Sequence, residues 1–476
     1  MKLVKSLLLG SAAGLAAIAG AQAADLPAAK AAPVEYVRVC STYGAGFFYI
    51  PGTESCLKIG GRVRADYIYR EPFSRANDAI NWRVRGRIQL DHRTATSYGL
   101  LRTFVRFEIT RDSGTALGAQ GAFLTTPNVA QAFVQFGGLT AGRVVSFFDN
   151  PDLPTTHMGT LRFSDAPDVG LFAYTYSFGN GFSASLSLED GQERRDRGIP
   201  FNIGLLPEDI RDLAPLSTFV FGGQRMPDVV GNIRTAGTWG SVQLSGAIHQ
   251  IRDVSAGLVN GINPVLNPIT GLPNAAFADT EYGFAVALET GINLPWISPG
   301  DSAWLALTYT DGALGYILGG RSDGINVINF TTLPLTDAFA NPVTGDLEKT
   351  KAYSVAGGFT HYWTPEFRSS IFGSYARFEV PGSATFVVPV NTATIDAGTA
   401  GTAVGFVDFN EYRLGANTFW SPVPLLNLGI EVLYTKLDPK GRVFIPVTNI
   451  AGATIGGKPS SGEDIWEGRI RVQRDF

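Results

Sequence analysis

The sequence predicts an all-β protein, a transmembrane antiparallel β-barrel of about 16 strands. Three observations predict this fold: many segments alternate apolar and polar residues with a period of two, short and long connections alternate, and no apolar run of about 18 residues follows the N-terminal region. Of the 476 residues, 45% are hydrophobic and only 17% are charged, with 56 glycines but 3 methionines. This composition argues against disorder and favours β-structure over a helical core.

The N-terminal residues have the pattern of an export signal. Lys2 and Lys5 precede an apolar stretch at 7–19, and Ala21-Gln22-Ala23 is a small-x-small cleavage site. We therefore expect residues 1–23 to be a signal peptide, which leaves 36 of the 38 basic residues against 42 acidic ones, a net charge of −6. An exported chain without an apolar helix is either a soluble extracytoplasmic protein or a membrane barrel.

Residues 24–56 are expected to form a separate periplasmic segment that contains both cysteines. The segment begins with an Ala- and Pro-rich linker at 24–34 and ends at Cys56. Because exported proteins meet an oxidising compartment, we expect a disulfide between Cys40 and Cys56, the alternative being two free thiols. The barrel domain is expected at 57–476.

Period-two alternation begins after Cys56 and recurs along the chain. In NWRVRGRIQLD at 81–91, every second residue from Trp82 to Leu90 lies on an apolar face, and the opposite face carries Arg83, Arg85 and Arg87. The same alternation appears at 57–70, 101–109, 130–145, 242–249, 281–289, 411–420, 427–435 and 466–476. Weaker patterns at 138–146, 229–235, 303–309 and 366–378 bring the expected number of strands to about 16.

The clearest hairpin is LFAYTYSFGNGFSASLSLED at 171–190. Aromatic and aliphatic residues share one face on both sides of the turn Gly179-Asn180-Gly181. A glycine-rich phosphate loop is the other interpretation of this turn. No helical pattern follows it, so a hairpin is favoured.

The connections alternate in length. Short ones are expected at 179–181, 237–240, 363–366 and 421–424, and long ones at about 190–226, 253–278, 311–349, 380–408 and 438–462. A soluble sandwich has no reason for this regularity, whereas a membrane barrel has short periplasmic turns and long extracellular loops. Tyr and Trp near the strand ends suit the membrane interfaces, and about 16 strands leave a water-filled channel.

Several stretches resemble the alphaproteobacterial porin family. They are AQAADLP at the cleavage site, VCSTYGAGFFYIPGTESCLKIGG at 39–61, AGRVVSFFDN at 141–150 and GNGFSASLSLEDG at 179–191, together with the final Phe476. The resemblance implies a 16-stranded outer-membrane barrel, usually a homotrimer, that conducts small hydrophilic solutes. It also implies that the third loop folds into the barrel and narrows the pore.

Arginines of the first three strands would then face acidic residues of the third loop. The expected basic wall comprises Arg62, Arg64, Arg83, Arg85, Arg87, Arg102 and Arg106, and the expected loop acids are Asp149, Asp152, Asp165 and Asp168. Opposed across a narrow aqueous gap, the two sets would create a transverse field that filters solutes by size and charge. The alternatives are a solvated strand face and an ordinary Asp-rich loop.

The last strand alternates up to Phe476 and resembles the signal read by the barrel assembly machinery. Arg474 departs from that pattern because it interrupts the apolar positions. The expected surroundings are outer-membrane lipid and lipopolysaccharide.

No pattern indicates catalysis, a metal or a cofactor. His92, His157, His249 and His361 lack ligand spacing, and neither a zinc-protease, a serine-hydrolase nor a P-loop motif occurs. The arginines would line a lumen in a net-acidic exported chain, which argues against nucleic-acid binding.

We therefore expect a passive diffusion porin rather than an enzyme. The alternatives are a substrate-specific, possibly anion-preferring channel of the same fold, a soluble exported β-protein such as a lectin or adhesin, and a barrel with a structural role.

We predict that cell fractionation recovers the protein with the outer membrane and that detergent is needed to extract it. The apolar strand faces require lipid or detergent to cover them. Recovery in the soluble periplasm or in the medium would contradict the barrel.

Overall fold

A computed structural model describes most of the chain, in 13 segments. They are 38–72, 78–114, 123–195, 221–253, 280–319, 335–341, 346–382, 385–387, 403–405, 407–441, 443–448, 454–460 and 462–476. The expected signal peptide at 1–23 and linker at 24–34 lie outside the described residues.

Sixteen antiparallel strands close into a barrel within the described residues. They are β1 (Cys56–Arg70), β2 (Ile80–Thr96), β3 (Gly99–Gly114), β4 (Phe123–Phe136), β5 (Leu139–Val145), β6 (Asp168–Gly179), β7 (Phe182–Glu189), β8 (Asp228–Gly237), β9 (Gly240–Arg252), β10 (Thr280–Asn293), β11 (Ser302–Asp311), β12 (Lys351–Thr364), β13 (Phe367–Glu379), β14 (Phe409–Trp420), β15 (Leu426–Pro439) and β16 (Glu463–Asp475). The predicted fold class and strand number are confirmed, including the four weakly patterned strands.

The first and last strands complete the barrel. β1 pairs with β16 from Arg62 opposite Asp475 to Arg70 opposite Glu467. Beyond this ladder, Gly61 and Phe476 exchange two backbone hydrogen bonds of 2.9 and 3.0 Å. The sheet therefore has no free edge, which is the condition for strands to cross hydrocarbon.

The strand faces divide as the alternation predicts. On β2, the side chains of Trp82, Val84 and Ile88 are 58%, 49% and 57% exposed on the outside, whereas Arg83 and Arg85 between them point inward and are partly buried. The outside of the barrel is thus an apolar surface for lipid, and the inside is polar. Among the described residues, no helix is long and apolar enough to span a bilayer.

The two ends of the barrel differ in their connections. One end has turns at 97–98, 137–138, 180–181, 238–239, 294–301, 365–366 and 421–425. The other end has eight connections, most of them much longer, named L1 to L8: 71–79, 115–122, 146–167, 190–227, 253–279, 312–350, 380–408 and 440–462. The predicted alternation is confirmed, and the short-turn end is the periplasmic side in barrels of this kind.

Short elements decorate the long-loop end. Two strands, Ala338–Ala340 and Leu347–Lys349, pair within L6. Four more pair across L7 and L8: Thr385–Val387, Ala403–Gly405, Val443–Thr448 and Thr454–Ser460. A 3-10 turn at Gly191–Glu193 opens L4, and a short α-helix lies at Gly315–Leu318 in L6.

L6 enters the barrel, which the sequence did not predict. Leu314 and Ile317 at its helix are fully buried against inward-facing apolar residues of the last five strands, such as Phe378 and Phe409. These inward apolar positions are an exception to the polar lumen. They fill part of the long-loop half of the barrel.

The N-terminal segment folds as a small lobe at the short-turn end. It contains a 3-10 turn at Ser41–Tyr43 and a two-residue strand, Phe48–Tyr49, that pairs with Leu57 and Cys56. Cys40 and Cys56 form the predicted disulfide. Because Cys56 is also the first residue of β1, the disulfide attaches the lobe to the barrel rim.

Barrel closure offers a test at Gly61. A Cβ on this residue would lie 2.3 Å from the Phe476 ring and 2.6 Å from the carbonyl oxygen of Arg87, which cannot move away. We predict that Gly61→Val destabilises the barrel by about 1 to 3 kcal/mol, as overpacking does. Gly86→Val is the matched control, since a Cβ there meets no atom within 4 Å. Heat-modifiable migration on gels measures the closed barrel, and equal behaviour of both variants would refute this account of closure.

Candidate pore and constriction

L3, the connection between β5 and β6, lies inside the barrel and packs against the inner faces of β9 to β16. Two inward carboxylates hold its backbone. Glu289 on β10 accepts a hydrogen bond of 2.5 Å from the N–H of Asn150, and Glu431 on β15 accepts bonds of 2.6 and 2.5 Å from Met158 and Gly159. Charge-assisted bonds of this kind are stronger than neutral ones, so they fix the loop against the wall.

A buried ion pair anchors the middle of L3. The Arg162 guanidinium donates to Glu411 on β14 at 2.9 Å, and Arg413 also donates to this carboxylate. Arg162 and Glu411 are 1% and 0% exposed. The backbone N–H of Arg162 donates to Ser374 on β13 at 3.0 Å. The pair thus joins the loop to two neighbouring strands at one point.

Apolar contacts complete the docking of L3. Leu161 and Phe163 are buried with Trp304, Phe372 and Leu433, which are inward residues of β11, β13 and β15. Phe163 and Trp304 lie with their ring centroids 5.1 Å apart. The loop therefore has one face packed on the wall and leaves the other face to the lumen.

The root of L3 is locked to L4 and L6. Arg194 in L4 donates to Asp149 at 2.9 Å and to Ser164 at 2.7 Å, and its guanidinium lies 4.5 Å above the Tyr316 ring. Tyr316 donates to Asp228 at 2.8 Å. Burial alone lowers the pKa of Arg194, but Asp149, Tyr316 and Glu189 raise that pKa above its ordinary value, so the guanidinium remains charged.

The predicted arginines form ladders across the inner faces of β1, β2 and β3. Arg62 lies opposite Arg87, and Arg64 lies opposite Arg85. These like charges are separated by carboxylates of the same wall. Arg62 pairs with Asp475 at 2.5 Å, Arg83 with Asp112 at 2.5 Å, Arg87 with Glu108, and Arg102 with Asp91 at 3.0 Å. The carboxylates that pair with these arginines therefore lie on the same or neighbouring strands, not on L3.

Three arginines of the wall lack a close carboxylate partner. Arg64 donates to Gln473 and Arg85 to Thr110, both at 2.9 Å, and the nearest carboxylate oxygen of Glu108 is 3.6 Å from Arg85. The Nε of Arg106 has no hydrogen-bond partner among the described residues. With seven guanidinium groups against four carboxylates, the wall keeps a positive excess.

The four predicted loop acids have different surroundings. Asp149 is buried and paired with Arg194, and Asp168, the first residue of β6, accepts a 2.6 Å bond from Gln131. The side chains of Asp152 and Asp165 are 53% and 48% exposed. Asp152 pairs with Arg234 on β8. Asp149 is thus inside the L3–L4–L6 contact, whereas the side chains of Asp152 and Asp165 remain about half exposed.

The acids that dock L3 were not predicted as functional residues. Glu289, Glu411 and Glu431 occur at inward positions of ordinary alternating strands, and nothing local distinguishes them from other lumen residues. Only the three glutamates taken together could have indicated a docking site. Three inward carboxylates on one side of the barrel need hydrogen-bond donors, and L3 supplies them.

A cavity of about 910 Å³ lies between the root of L3 and the short-turn end. It is lined by Arg102 and Arg106 of the basic wall, by Gln131 of β4, and by Ser146, Phe147, Asp149 and Pro151 of L3. Among the described residues, no group of three or more His, Cys, Asp or Glu side chains could hold a metal ion. We call this cavity the chamber.

An apolar exterior, a charged interior and a third loop inside a closed 16-stranded barrel define the class of water-filled outer-membrane channels. The sequence profile of the porin subfamily matches residues 25–468, so the chain belongs to that family. It is 35% identical to porin Omp2b of Brucella canis over 296 residues, 59% of this chain and 76% of the relative. It is 38% identical to porin Omp2b of Brucella neotomae over 250 residues, 50% of this chain and 64% of the relative.

The fold is also shared with a solved structure. The outer-membrane channel DcaP of Acinetobacter baumannii superposes with a TM-score of 0.54 over 90% of this chain and 99% of DcaP, at 14% sequence identity. Fold and family together identify an outer-membrane porin, a channel rather than an enzyme, through which small hydrophilic solutes diffuse.

The buried anchor of L3 generates a prediction. Glu411→Gln removes the charge that compensates Arg162, so we expect L3 docking to weaken by about 3 to 5 kcal/mol while the barrel still closes. Single-channel recordings should show more current noise and a larger mean conductance. Glu379→Gln is the control, because Glu379 is a partly exposed strand-end carboxylate paired with Arg377. Quiet, unchanged channels from Glu411→Gln would show that this pair does not hold the loop.

Proposed function

We propose that the channel filters solutes at the gap between the basic wall of β1 to β3 and the lumen face of L3. The observation that carries this proposal is that L3 packs on β9 to β16, across the barrel from the arginines. Its open side, with Asp152 and Asp165, is therefore turned to the space that the arginines line. Positive and negative groups on two sides of a water gap produce a transverse field.

Such a field selects by polarity as well as by size. A dipolar solute aligns with the field and keeps favourable interactions, whereas an apolar solute must displace ordered water without replacing its hydrogen bonds. The positive excess of the wall favours anions over cations of the same size. Size and charge are therefore filtered at the same level of the pore.

The alternative is a channel specific for one class of anionic solute. Arg64 favours it, since its hydrogen-bond partner Gln473 is neutral. Arg85 adds to this, because it donates to neutral Thr110 and has only a longer contact of 3.6 Å with Glu108. A specific channel would show saturable current block by its solute. A diffusion porin would show conductance that rises with salt without saturation.

We also propose that the protein works as a homotrimer among outer-membrane lipid and lipopolysaccharide. The outside of the barrel carries exposed aromatic residues near both strand ends, among them Trp82, Tyr174, Trp363 and Trp420. Phe476 has an exposed ring on the same surface and is our candidate for recognition by the barrel assembly machinery. Crosslinking in native membranes tests the trimer.

For the filter, we predict that Arg83→Ala/Arg85→Ala reduces anion preference and changes conductance in planar bilayers. Loss of two guanidinium groups leaves Asp112 and Glu108 less compensated, so the local potential becomes less positive. The reversal potential in a salt gradient measures the preference.

Two further variants make this test specific. Asp152→Asn/Asp165→Asn should shift the reversal potential in the opposite direction. Arg474→Ala removes an arginine from the outer surface and should leave it unchanged. If Arg83→Ala/Arg85→Ala behaves like Arg474→Ala, those arginines do not line the constriction.

A further inference from the structure

The N-terminal lobe, residues 40–56, turns into the mouth of the barrel at the short-turn end. Tyr43, Ala45 and Phe47 line the 910 Å³ chamber together with inward residues of β4 and β7, such as Gln135 and Ser185. Phe47 is buried, whereas Ala45 is exposed to the chamber. The lobe is thus part of the inner boundary of the water path.

Cationic side chains of the wall hold the lobe in this place. The Arg93 guanidinium lies 4.9 Å from the Phe47 ring centroid and 5.8 Å from that of Tyr43. Arg93 lies on the inner face of β2, as Arg87 does, and is paired with Asp91 at 2.8 Å. Cation–aromatic contacts of this geometry are worth about 0.5 to 2 kcal/mol each. They fasten the aromatic residues to the lumen side of β2.

Covalent and backbone bonds make the lobe a folded unit. The disulfide joins fully buried Cys40 to Cys56 at the start of β1. The N–H of Cys40 donates to Phe47 at 2.9 Å, and Lys58 donates to the carbonyl of Ala45 at 3.2 Å. A segment tied at both ends to the rim keeps its position while solutes pass.

We infer that residues 40–56 form a lip that narrows the periplasmic exit and acts as a second filter, in series with the L3 constriction. A solute that leaves the L3 gap enters the chamber and must then pass Tyr43, Ala45 and Arg93. The resistances of the L3 gap and of the exit add in series. Narrowing the exit therefore lowers the conductance even when the L3 gap is unchanged. The lip selects mainly by size, with Arg93 at its base favouring anions.

Two variants that act in opposite directions test the lip. Tyr43→Ala removes a ring from the exit, and if the lip supplies about a third of the total resistance, single-channel conductance rises about 1.5-fold. Ala45→Trp adds a ring to the same exit and lowers conductance, with a smaller exclusion limit for neutral polymers. The conductance of both variants is measured on protein whose heat-modifiable migration on gels shows a closed barrel.

The controls separate a lip from a general disturbance. Thr53→Trp adds the same bulk to an exposed position of the lobe that does not line the chamber, and Tyr98→Ala removes a ring from a periplasmic turn outside it. Both should conduct like the wild type. Unchanged conductance in Ala45→Trp, or an equal fall in Thr53→Trp, overturns the proposal.

The outcome is independent of the L3 filter. In an Arg83→Ala/Arg85→Ala background, Ala45→Trp should still lower conductance, because the exit is a separate resistance. If Ala45→Trp lowers conductance but the two arginine substitutions leave ion selectivity unchanged, the lip is supported and the L3 filter is contradicted. If the arginine substitutions change selectivity but Ala45→Trp leaves conductance unchanged, the lip is contradicted and the L3 filter is supported.

Discussion

The pairing of β1 with β16 is the constraint on which the rest of the structure depends. In hydrocarbon, an unpaired strand edge exposes N–H and C=O groups that cost several kcal/mol each. The ladder from Arg62–Asp475 to Arg70–Glu467 removes that edge. Closure also separates two environments, because alternate side chains must point outward to lipid or inward to water. The arginines of β1 to β3 are tolerated in a membrane protein only because closure gives them a water-filled interior.

A polar interior in turn decides how loops can enter it. L3 buries Leu161 and Phe163, but its backbone N–H groups and Arg162 also need polar partners inside the barrel. The carboxylates of Glu289, Glu411 and Glu431 accept their hydrogen bonds. L6 enters differently, by placing Leu314 and Ile317 on apolar patches of the inner wall. The first mode leaves charged residues beside water and suits a constriction, whereas the second excludes water and suits a filling element. Both loops thus pack along the later strands of the barrel.

The sequence predicted what depends on local periodicity and missed what depends on distant pairing. Alternation located β2 and the inward arginines, and turn residues located the hairpin at 180–181 and the turn at 238–239. The inward path of L3 was expected from family resemblance, since none of its residues indicates it. Glu411 and Arg162 are 249 residues apart and are joined only by barrel closure. The four-residue helix of L6 is too short for a periodic signal, so its entry into the barrel could not be predicted.

Ion pairing within the basic wall changes how that wall can act on a solute. A guanidinium bonded to a carboxylate of its own wall forms a dipole, whose field decays faster with distance than the field of a single charge. The longer-range field then depends mainly on Arg64, Arg85 and Arg106, which donate no hydrogen bond to a carboxylate among the described residues. Salt screens even this field over about 8 to 10 Å at physiological ionic strength. An open 16-stranded barrel is wider than that, so the wall alone would leave most of the cross-section unfiltered. In the filter that we propose, L3 fills the opposite side and keeps solutes within the screening distance of the arginines, so the selectivity of the field depends on the docking of the loop.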